Sequence, residues 1–395
     1  MKFSKMLESY KKYLFYIYIP INIILWIYLV TGKPFIIGAQ GLILVSVFIY
    51  MFFFSKKINI DKNYSLVFLF VIYCFTLTTL HFITGDLIDS YGRSLAEYHY
   101  YLYPLYIIAY IYGRNSKFEI NWVSYATLAI TFLLITTIAN LKTFTINYDV
   151  IDSDKSGVYL ALSDLFLIYL VFFISYAKNN YYRFLLFMAG CLGLIILNSR
   201  SSLYAFVIIF VIYQALYNSF RIRIVSFFTL ILILFVLLGS SYFASLLESN
   251  SRMFAIFTGI NDDSSKVARD YLFETGLKRT LESPVLGDYG GVIREHNNIG
   301  SYIHNIFSYW QTFGLLPFIV SIVFFIVVPL ITAYKAYKDR YIFNSAIYFN
   351  LSLYIVIAVL LTKPYGWYNA WFLLGFLHTY SEQLSKSYST VSKYK

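Results

Sequence analysis

Three residues of this chain have side chains suited to binding and transferring a charged group. Arg200 lies in the polar sequence Asn-Ser-Arg-Ser-Ser, Arg269 lies in a long polar segment, and His304 precedes an apolar segment. A guanidinium is always charged and binds phosphate oxygens through two parallel hydrogen bonds. An imidazole exchanges protons near neutral pH. These residue types indicate anion binding by the arginines and general-base chemistry by the histidine.

Each of these residues also has a structural alternative. At an apolar boundary, an arginine such as Arg200 commonly lays its stem along apolar surface and keeps its charge in the headgroup region. Arg269 has acidic neighbours, Asp270 and Glu274, with which it would form a local ion pair. A single interfacial histidine such as His304 is more often structural than catalytic. The residue types alone leave both interpretations open.

Four further polar residues are candidates for the same site or for a different one. Arg279 and Arg294 belong to the polar segment that contains Arg269, and they are either solvated or substrate contacts, while Asn305 follows His304. Asp164 lies inside an apolar segment, where a carboxylate is costly and indicates either ion coupling or a structural partner. The sequence contains no HExxH, CxxC or paired-histidine spacing, so it predicts no bound metal.

The elements that must position these residues are helices in a membrane. Hydrophobic residues make up 59% of the chain and charged residues 13%, whereas a soluble domain has about 25% charged residues. Long, continuous apolar segments favour helices over a barrel, and each helix needs about 20 residues to cross the bilayer. The apolar segments are 14–30, 35–54, 65–84, 98–113, 121–140, 157–177, 184–198, 202–217, 224–247, 306–334, 343–361 and 368–380.

The positions of Lys and Arg predict how these twelve segments cross the membrane. Positive charge is retained in cytoplasmic loops, and the net charge of the chain is +11. If the N-terminus is cytoplasmic, the cytoplasmic loops hold most of the Lys and Arg of the short loops, and none holds fewer than the short outer loops beside it. The first apolar segment has no small-residue cleavage site, so it is read as an uncleaved span. Twelve spans with both termini in the cytoplasm satisfy the pattern.

One polar segment on the outer side, residues 248–303, is much longer than the other loops. It divides the chain into helices 1–9 (residues 1–247), the loop itself, and helices 10–12 with the cytoplasmic tail (residues 304–395). Apolar residues near helical spacing predict an amphipathic helix over 264–282 lying against the membrane surface, and Ser283-Pro284 ends it. Gly287, Gly290 and Gly291 then predict a turn.

The order of these motifs resembles the bacterial O-antigen ligase and Wzy-type polysaccharide polymerase superfamily. A Ser-Arg-Ser-Ser sequence opens a span, and a large outer loop follows. The loop reads Arg269-Asp-Tyr-Leu-Phe-Glu-Thr-Gly-Leu-Lys-Arg-Thr-Leu-Glu-Ser-Pro284-Val-Leu-Gly287, and His304-Asn-Ile-Phe-Ser-Tyr-Trp-Gln-Thr-Phe-Gly314-Leu-Leu comes after it. The resemblance covers about residues 198–320; before that it extends only to topology. Gly-Asp-Tyr-Gly stands where the family commonly has Gly-x-Gly.

The resemblance implies an all-α, GT-C-like membrane glycosyltransferase with one large periplasmic loop, acting at the periplasmic face of a bacterial inner membrane. It implies glycosyl transfer from an undecaprenyl-diphosphate-linked glycan without a metal or other cofactor. Arg200 and Arg269 would neutralise the departing diphosphate, and His304 would deprotonate or orient the acceptor hydroxyl. Arg279, Arg294 and Asn305 would contact the substrate.

Within that superfamily we favour a surface-polysaccharide polymerase, which extends a lipid-linked chain onto a lipid-linked repeat unit. The alternative is an O-antigen ligase of lipopolysaccharide biosynthesis, which transfers the glycan to lipid A-core. A further alternative from another class is a lipid-linked glycan flippase or transporter that uses Asp164. The expected partners are the lipid-linked oligosaccharide and the membrane, with a chain-length regulator and a flippase nearby; no nucleic acid is expected.

Overall fold

The computed structural model describes residues 14–24, 62–119, 121–140, 145–146, 158–217, 264–341 and 344–380. Two predicted spans, 35–54 and 224–247, and the first part of the outer segment, 248–263, lie outside the described residues. The chain divides into two compact units. The first consists of residues 1–43, 117–263 and 333–354, and the second of residues 44–116, 264–332 and 355–395.

The described residues are almost entirely helical, with helix boundaries close to those of the apolar segments. A short antiparallel pair, β1 (Ala139–Asn140) and β2 (Thr145–Ile146), is the exception. The helices are α1 (Leu14–Ile24), α2 (Lys62–Thr84), α3 (Leu95–Asn115), α4 (Trp122–Thr137), α5 (Val158–Tyr176), α6 (Asn180–Ile196), α7 (Arg200–Tyr217), α8 (Ser264–Glu282), α9 (Gly291–His296), α10 (Phe307–Phe313), α11 (Leu315–Lys338), α12 (Ser345–Leu361) and α13 (Asn369–His378).

These helices make the protein a helical membrane protein. Within the described ranges, α2, α5 (from Tyr159), α7 and α11 are long and apolar enough to cross a bilayer. Four shorter apolar helices, α1, α4, α6 and α12, also coincide with predicted spans. The twelve-span topology and its sidedness stay predictions.

The first unit is organised around α5. This helix is buried on nearly its whole circumference, which is why its sequence is apolar at every face instead of along one stripe. Two glycines of α6 let this helix approach its neighbours closely. A Cβ on Gly190 would overlap Phe206 of α7, and a Cβ on Gly193 would overlap Phe166 of α5. Small residues at such crossings let helices pack closely in membranes.

The second unit has a comparable contact between α3 and α13. Gly113 of α3 faces the backbone of Phe372, and Gly375 of α13 faces the backbone of Tyr110, so neither position has room for a side chain. Trp371 is fully buried and stacks on Tyr106, with 5.3 Å between ring centroids. This pair of helices forms the core on which the loops of the unit rest.

The structure confirms the predicted helix over 264–282 and the turn after it. The Gly287 amide donates to Ser283 O at 2.8 Å, and Gly287 has a φ of +75°. The next apolar segment is interrupted at Gly314, where φ is +85°, so that α10 and α11 are separate helices. Pro317 lies in the first turn of α11, a position that tolerates proline. The interruption therefore precedes Pro317, although proline is the residue type that commonly kinks a helix.

Gly287 is expected to be one of the least replaceable residues of this turn. A Cβ on Gly287 would lie 2.6 Å from Trp310 O and 2.8 Å from Gln311 O, and its φ disfavours side chains. Gly92 is a matched control, with a φ of +73° and no atom within 4 Å of its Cβ position. In thermal unfolding in detergent, Gly287→Ala should lose about 1–3 kcal/mol more stability than Gly92→Ala. Equal losses would show that backbone conformation alone matters.

Candidate functional site

Helix α8 points one face towards the segment that contains His304. Phe273 on this face packs edge-on against Phe307, with ring centroids 5.8 Å apart. Gly276 lies so close that a Cβ would be 2.9 Å from both Ile303 Cγ1 and Gln311 Nε2. Residues three and four apart share a helix face, so Arg269 projects from the same face one turn before Phe273. Arg269 is exposed, and it lies close enough to His304 for its charge to lower the pKa of that histidine.

Among the apolar residues near helical spacing in α8, Phe273 lies on this inward face, but several others do not. Val267, Tyr271 and Leu281 are exposed, and the exposed charged residues Glu274 and Lys278 lie among them along the helix. The inward face instead combines Phe273 with the small residues Gly276 and Thr280, because close backbone packing selects small size over hydrophobicity. The orientation of α8 against the membrane surface stays a prediction.

His304 lies in a short segment whose backbone is held by hydrogen bonds on both sides of the histidine. The Ile303 amide donates to Gln311 Oε1 at 3.0 Å, and the Ile306 amide donates to Val359 O at 2.8 Å. Asn305 Oδ1 accepts a hydrogen bond from the Phe307 amide at 3.0 Å at the start of α10. The Asn305 side chain thus stabilises the turn that leads into α10, and its predicted role in substrate binding stays a prediction.

The half-buried His304 imidazole is surrounded by positive charge. Burial, and to a smaller extent the charges of Arg269 and Lys363, together lower the pKa of His304 to about 4. The Tyr302 ring lies beside the imidazole, with 5.4 Å between ring centroids. Lys363 follows α12 and is only 8% exposed. At neutral pH the imidazole is therefore uncharged and able to accept a proton, near the side chains of Arg269 and Lys363.

This charge arrangement predicts how stability depends on pH. The pKa of His304 is about 4 in the folded protein, compared with 6.5 for a histidine in the unfolded chain. Between these two pH values the unfolded chain therefore binds more protons than the folded protein. Stability contributed by His304 is present above about pH 6.5 and is lost as the pH falls to about 4. The His304→Gln variant should lose less thermal stability than wild type over this window. Parallel curves would contradict the assigned pKa shift.

Lys363 was not among the residues singled out by the sequence. It stands alone between an apolar segment and Pro364, and nothing in its local sequence links it to His304. The turn that follows α12 brings it there, and the same turn places Tyr365, whose amide donates to Ser308 Oγ at 2.8 Å. The site of the second unit therefore contains Arg269, His304 and Lys363.

Arg279 and Arg294 are engaged in ion pairs with acidic residues of the loop. Arg279 pairs with Glu295 and with Asp288, the latter at 3.3 Å, and Arg294 pairs with Asp288 at 2.6 Å. These pairs connect α8 to the Gly-Asp-Tyr-Gly turn and to α9. They give both arginines a structural function, and the predicted substrate contacts stay predictions.

Arg200 lies in the first unit, at the first position of α7. Asn198 adopts a left-handed conformation, with a φ of +51°, and turns the chain from α6 into α7. Ser202 Oγ donates to Asp164 Oδ1 at 3.0 Å, and Ser199 Oγ donates to Ser202 Oγ at 3.0 Å. The Ser-Arg-Ser-Ser sequence therefore contacts the buried carboxylate of Asp164, which supports the structural alternative for that residue.

A buried histidine in the second unit was not predicted as functional. His99 of α3 is fully buried, and its Nδ1 and Nε2 lie 3.1 Å from Tyr289 OH and 3.0 Å from Tyr365 OH. Tyr365 in turn packs against Tyr302, with ring centroids 5.1 Å apart. His99 thus joins the turn after α8 to the turn after α12. In the sequence, the only local feature that points to the contact with His99 is Tyr289, which stands in the Gly-Asp-Tyr-Gly turn.

In the described part of the chain, no group of three or more His, Cys, Asp or Glu side chains is arranged to hold a metal ion. No protein-family model matches this sequence, and no curated protein matches it significantly.

Proposed function

We propose that this protein is a metal-independent membrane glycosyltransferase that uses an undecaprenyl-diphosphate-linked glycan as its donor. The observation that carries the proposal is the uncharged His304 imidazole beside Arg269 and Lys363. Glycosyl transfer from a diphosphate requires a base for the acceptor hydroxyl and cations for the departing phosphate. Both kinds of group are present in one small part of the second unit.

The charges also provide a means of activating the base when the donor binds. Burial lowers the pKa of His304 most, and Arg269 and Lys363 add to it, so a dianionic diphosphate bound by these two side chains would offset their part of the lowering. The imidazole would then become a stronger base in the presence of the donor. As the acceptor hydroxyl attacks the anomeric carbon, His304 takes its proton, and the carbon–oxygen bond to the diphosphate breaks. The cations stabilise the charge that develops on the leaving group.

Two reactions of surface-polysaccharide assembly use this donor. A polymerase places the glycan on a lipid-linked repeat unit, and a ligase places it on lipid A-core. We favour the polymerase and keep the ligase as the alternative, with Arg200 as a further diphosphate contact in either case. The reaction would take place at the periplasmic face of a bacterial inner membrane, in a chain of twelve spans with cytoplasmic termini.

A transporter or lipid-linked glycan flippase is the second candidate. The observation that favours it is Asp164, a carboxylate only 2% exposed within the apolar helix α5. Its hydrogen bonds to Ser202 and, at 3.5 Å, to Tyr354 give this carboxylate a structural function instead. We therefore place this candidate second.

Deletion of the coding sequence in its source bacterium separates these functions on a lipopolysaccharide gel. Core carrying one repeat unit indicates a polymerase. Unmodified core with accumulated long lipid-linked chains indicates a ligase. Normal ladders contradict both, and complementation with the wild-type chain should restore the original pattern.

A chelator tests the absence of a catalytic metal. Transfer by the purified protein in lipid should continue at an unchanged rate after treatment with EDTA. A loss of activity that added Mg²⁺ or Mn²⁺ restores would contradict the metal-independent mechanism.

A further inference from the structure

The turn that ends α8 is fixed against the beginning of α11. We call residues 284–286 the apolar turn. Trp310 Nε1 donates to Pro284 O at 2.7 Å, and the Leu315 amide donates to Val285 O at 3.1 Å. Gly314 faces the backbone of Val285 and Leu286 so closely that no side chain fits there. The position of the apolar turn relative to α11 is therefore set by backbone contacts.

The two side chains at the tip of this turn are large, apolar and exposed. Val285 is 68% exposed and Leu286 is 61% exposed. The first turns of α11 present further exposed apolar side chains from Leu315, Leu316 and Ile319. Single exposed apolar residues are ordinary, but a continuous apolar patch marks a surface that contacts a partner or a membrane.

The identity of the partner follows from α11, which is long and apolar enough to span a bilayer. Its exposed apolar residues continue along the helix through Val323, Val327 and Leu330, as is expected of a face that contacts lipid. Trp310 stacks on Phe318 of α11, with 5.3 Å between centroids, and aromatic residues are enriched where a span meets the headgroups. The apolar turn continues this lipid-facing surface beyond the first residue of the span.

We propose that the apolar turn inserts Val285 and Leu286 into the bilayer at the boundary between headgroups and acyl chains. The partner is the lipid surface itself. Inserted there, the turn would hold the C-terminal end of α8 at the membrane, while Arg269 lies at the opposite end of the helix. This inference does not depend on the reaction that the protein catalyses.

Fluorescent labelling of single cysteines tests the inference. Val285→Cys and Leu286→Cys, each carrying a bimane label, are placed with the full chain in nanodiscs of phosphatidylethanolamine and phosphatidylglycerol. Doxyl-labelled lipids should quench both labels, and depth analysis should place them about 5–10 Å into the headgroup–acyl boundary. Both native side chains are exposed, so the label displaces no packed core residue.

Ser90→Cys is the control for a label that is exposed to water. Ser90 is exposed and lies next to the Asp89–Arg93 ion pair in a polar loop of the same unit. Its label should respond to aqueous iodide and not to doxyl lipids. Iodide quenching of the labels at 285 and 286 to the same extent as at 90 would overturn the inference. Protection from both quenchers would also overturn it, because protein would then cover the turn.

Discussion

Replacing His304 with alanine is expected to lower the rate of glycan transfer by about 10²–10⁴-fold, the usual contribution of a general base. The physical reason is that the His304 imidazole is a base close enough to Arg269 and Lys363 for their charges to lower its pKa. The rate is measured by transfer from a lipid-linked donor in nanodiscs. The corresponding measurement in cells is whether the variant, expressed in a deletion strain, restores the glycan ladders as the wild-type chain does.

Two variants separate proton transfer from structural effects. His304→Gln retains a polar side chain that forms hydrogen bonds but cannot accept a proton, so it should be nearly as inactive as His304→Ala. His296→Ala is the matched control, because His296 is also partly buried and its pKa is also lowered, by burial and by Arg279. It should retain most of the activity. Full activity of His304→Ala would refute the catalytic assignment.

Replacing Arg269 with lysine is expected to be nearly as damaging as replacing it with alanine, with a loss of about 10²–10³-fold in the rate of transfer. A planar guanidinium binds two phosphate oxygens at once, whereas an ammonium group acts as a point charge. Arg269 extends from the inward face of α8, so a change at its end alters the site without removing the contacts of Phe273 and Gly276.

Lys278→Ala is the control for this series, since Lys278 is an exposed cation on the same helix. It should leave the rate unchanged within about twofold, as surface charges far from a ligand contribute little. An Arg269→Lys variant with near-normal activity would show that a single positive charge suffices and that no bidentate contact is made. Equal losses for Arg269→Ala and Lys278→Ala, each of which removes one positive charge, would point to a nonspecific effect of charge.

The helices of this protein could be predicted well because their signals are local. Continuous apolar sequence is enough to define a span, and Ser283-Pro284 followed by glycines is enough to end α8. The break at Gly314 was harder to predict. It depends on a backbone contact with Val285, a residue distant in sequence, whereas a proline such as Pro317 is the local signal for a kink.

The site could be predicted only in part, because some of its residues are assembled by the fold. Arg269 and His304 each belong to a recognisable local pattern, and the structure brings the charge of the arginine close to the histidine. Lys363 has no such pattern and reaches the site through the turn after α12. The inward face of α8 also has little sequence signal of its own, because apolar periodicity cannot reveal the close packing at Gly276.

The direction of the Arg269 side chain depends on the number of residues between it and the packed part of α8, as well as on which residues these are. Arg269 shares a face with Phe273 and Gly276, and each residue of a helix advances the direction of the side chain by about 100°. Inserting or deleting one residue between 270 and 275 would keep every contact after Gly276 and turn the guanidinium away from His304. Related natural chains should therefore differ by substitutions in this interval but not by insertions or deletions, because its length sets the direction of the arginine side chain.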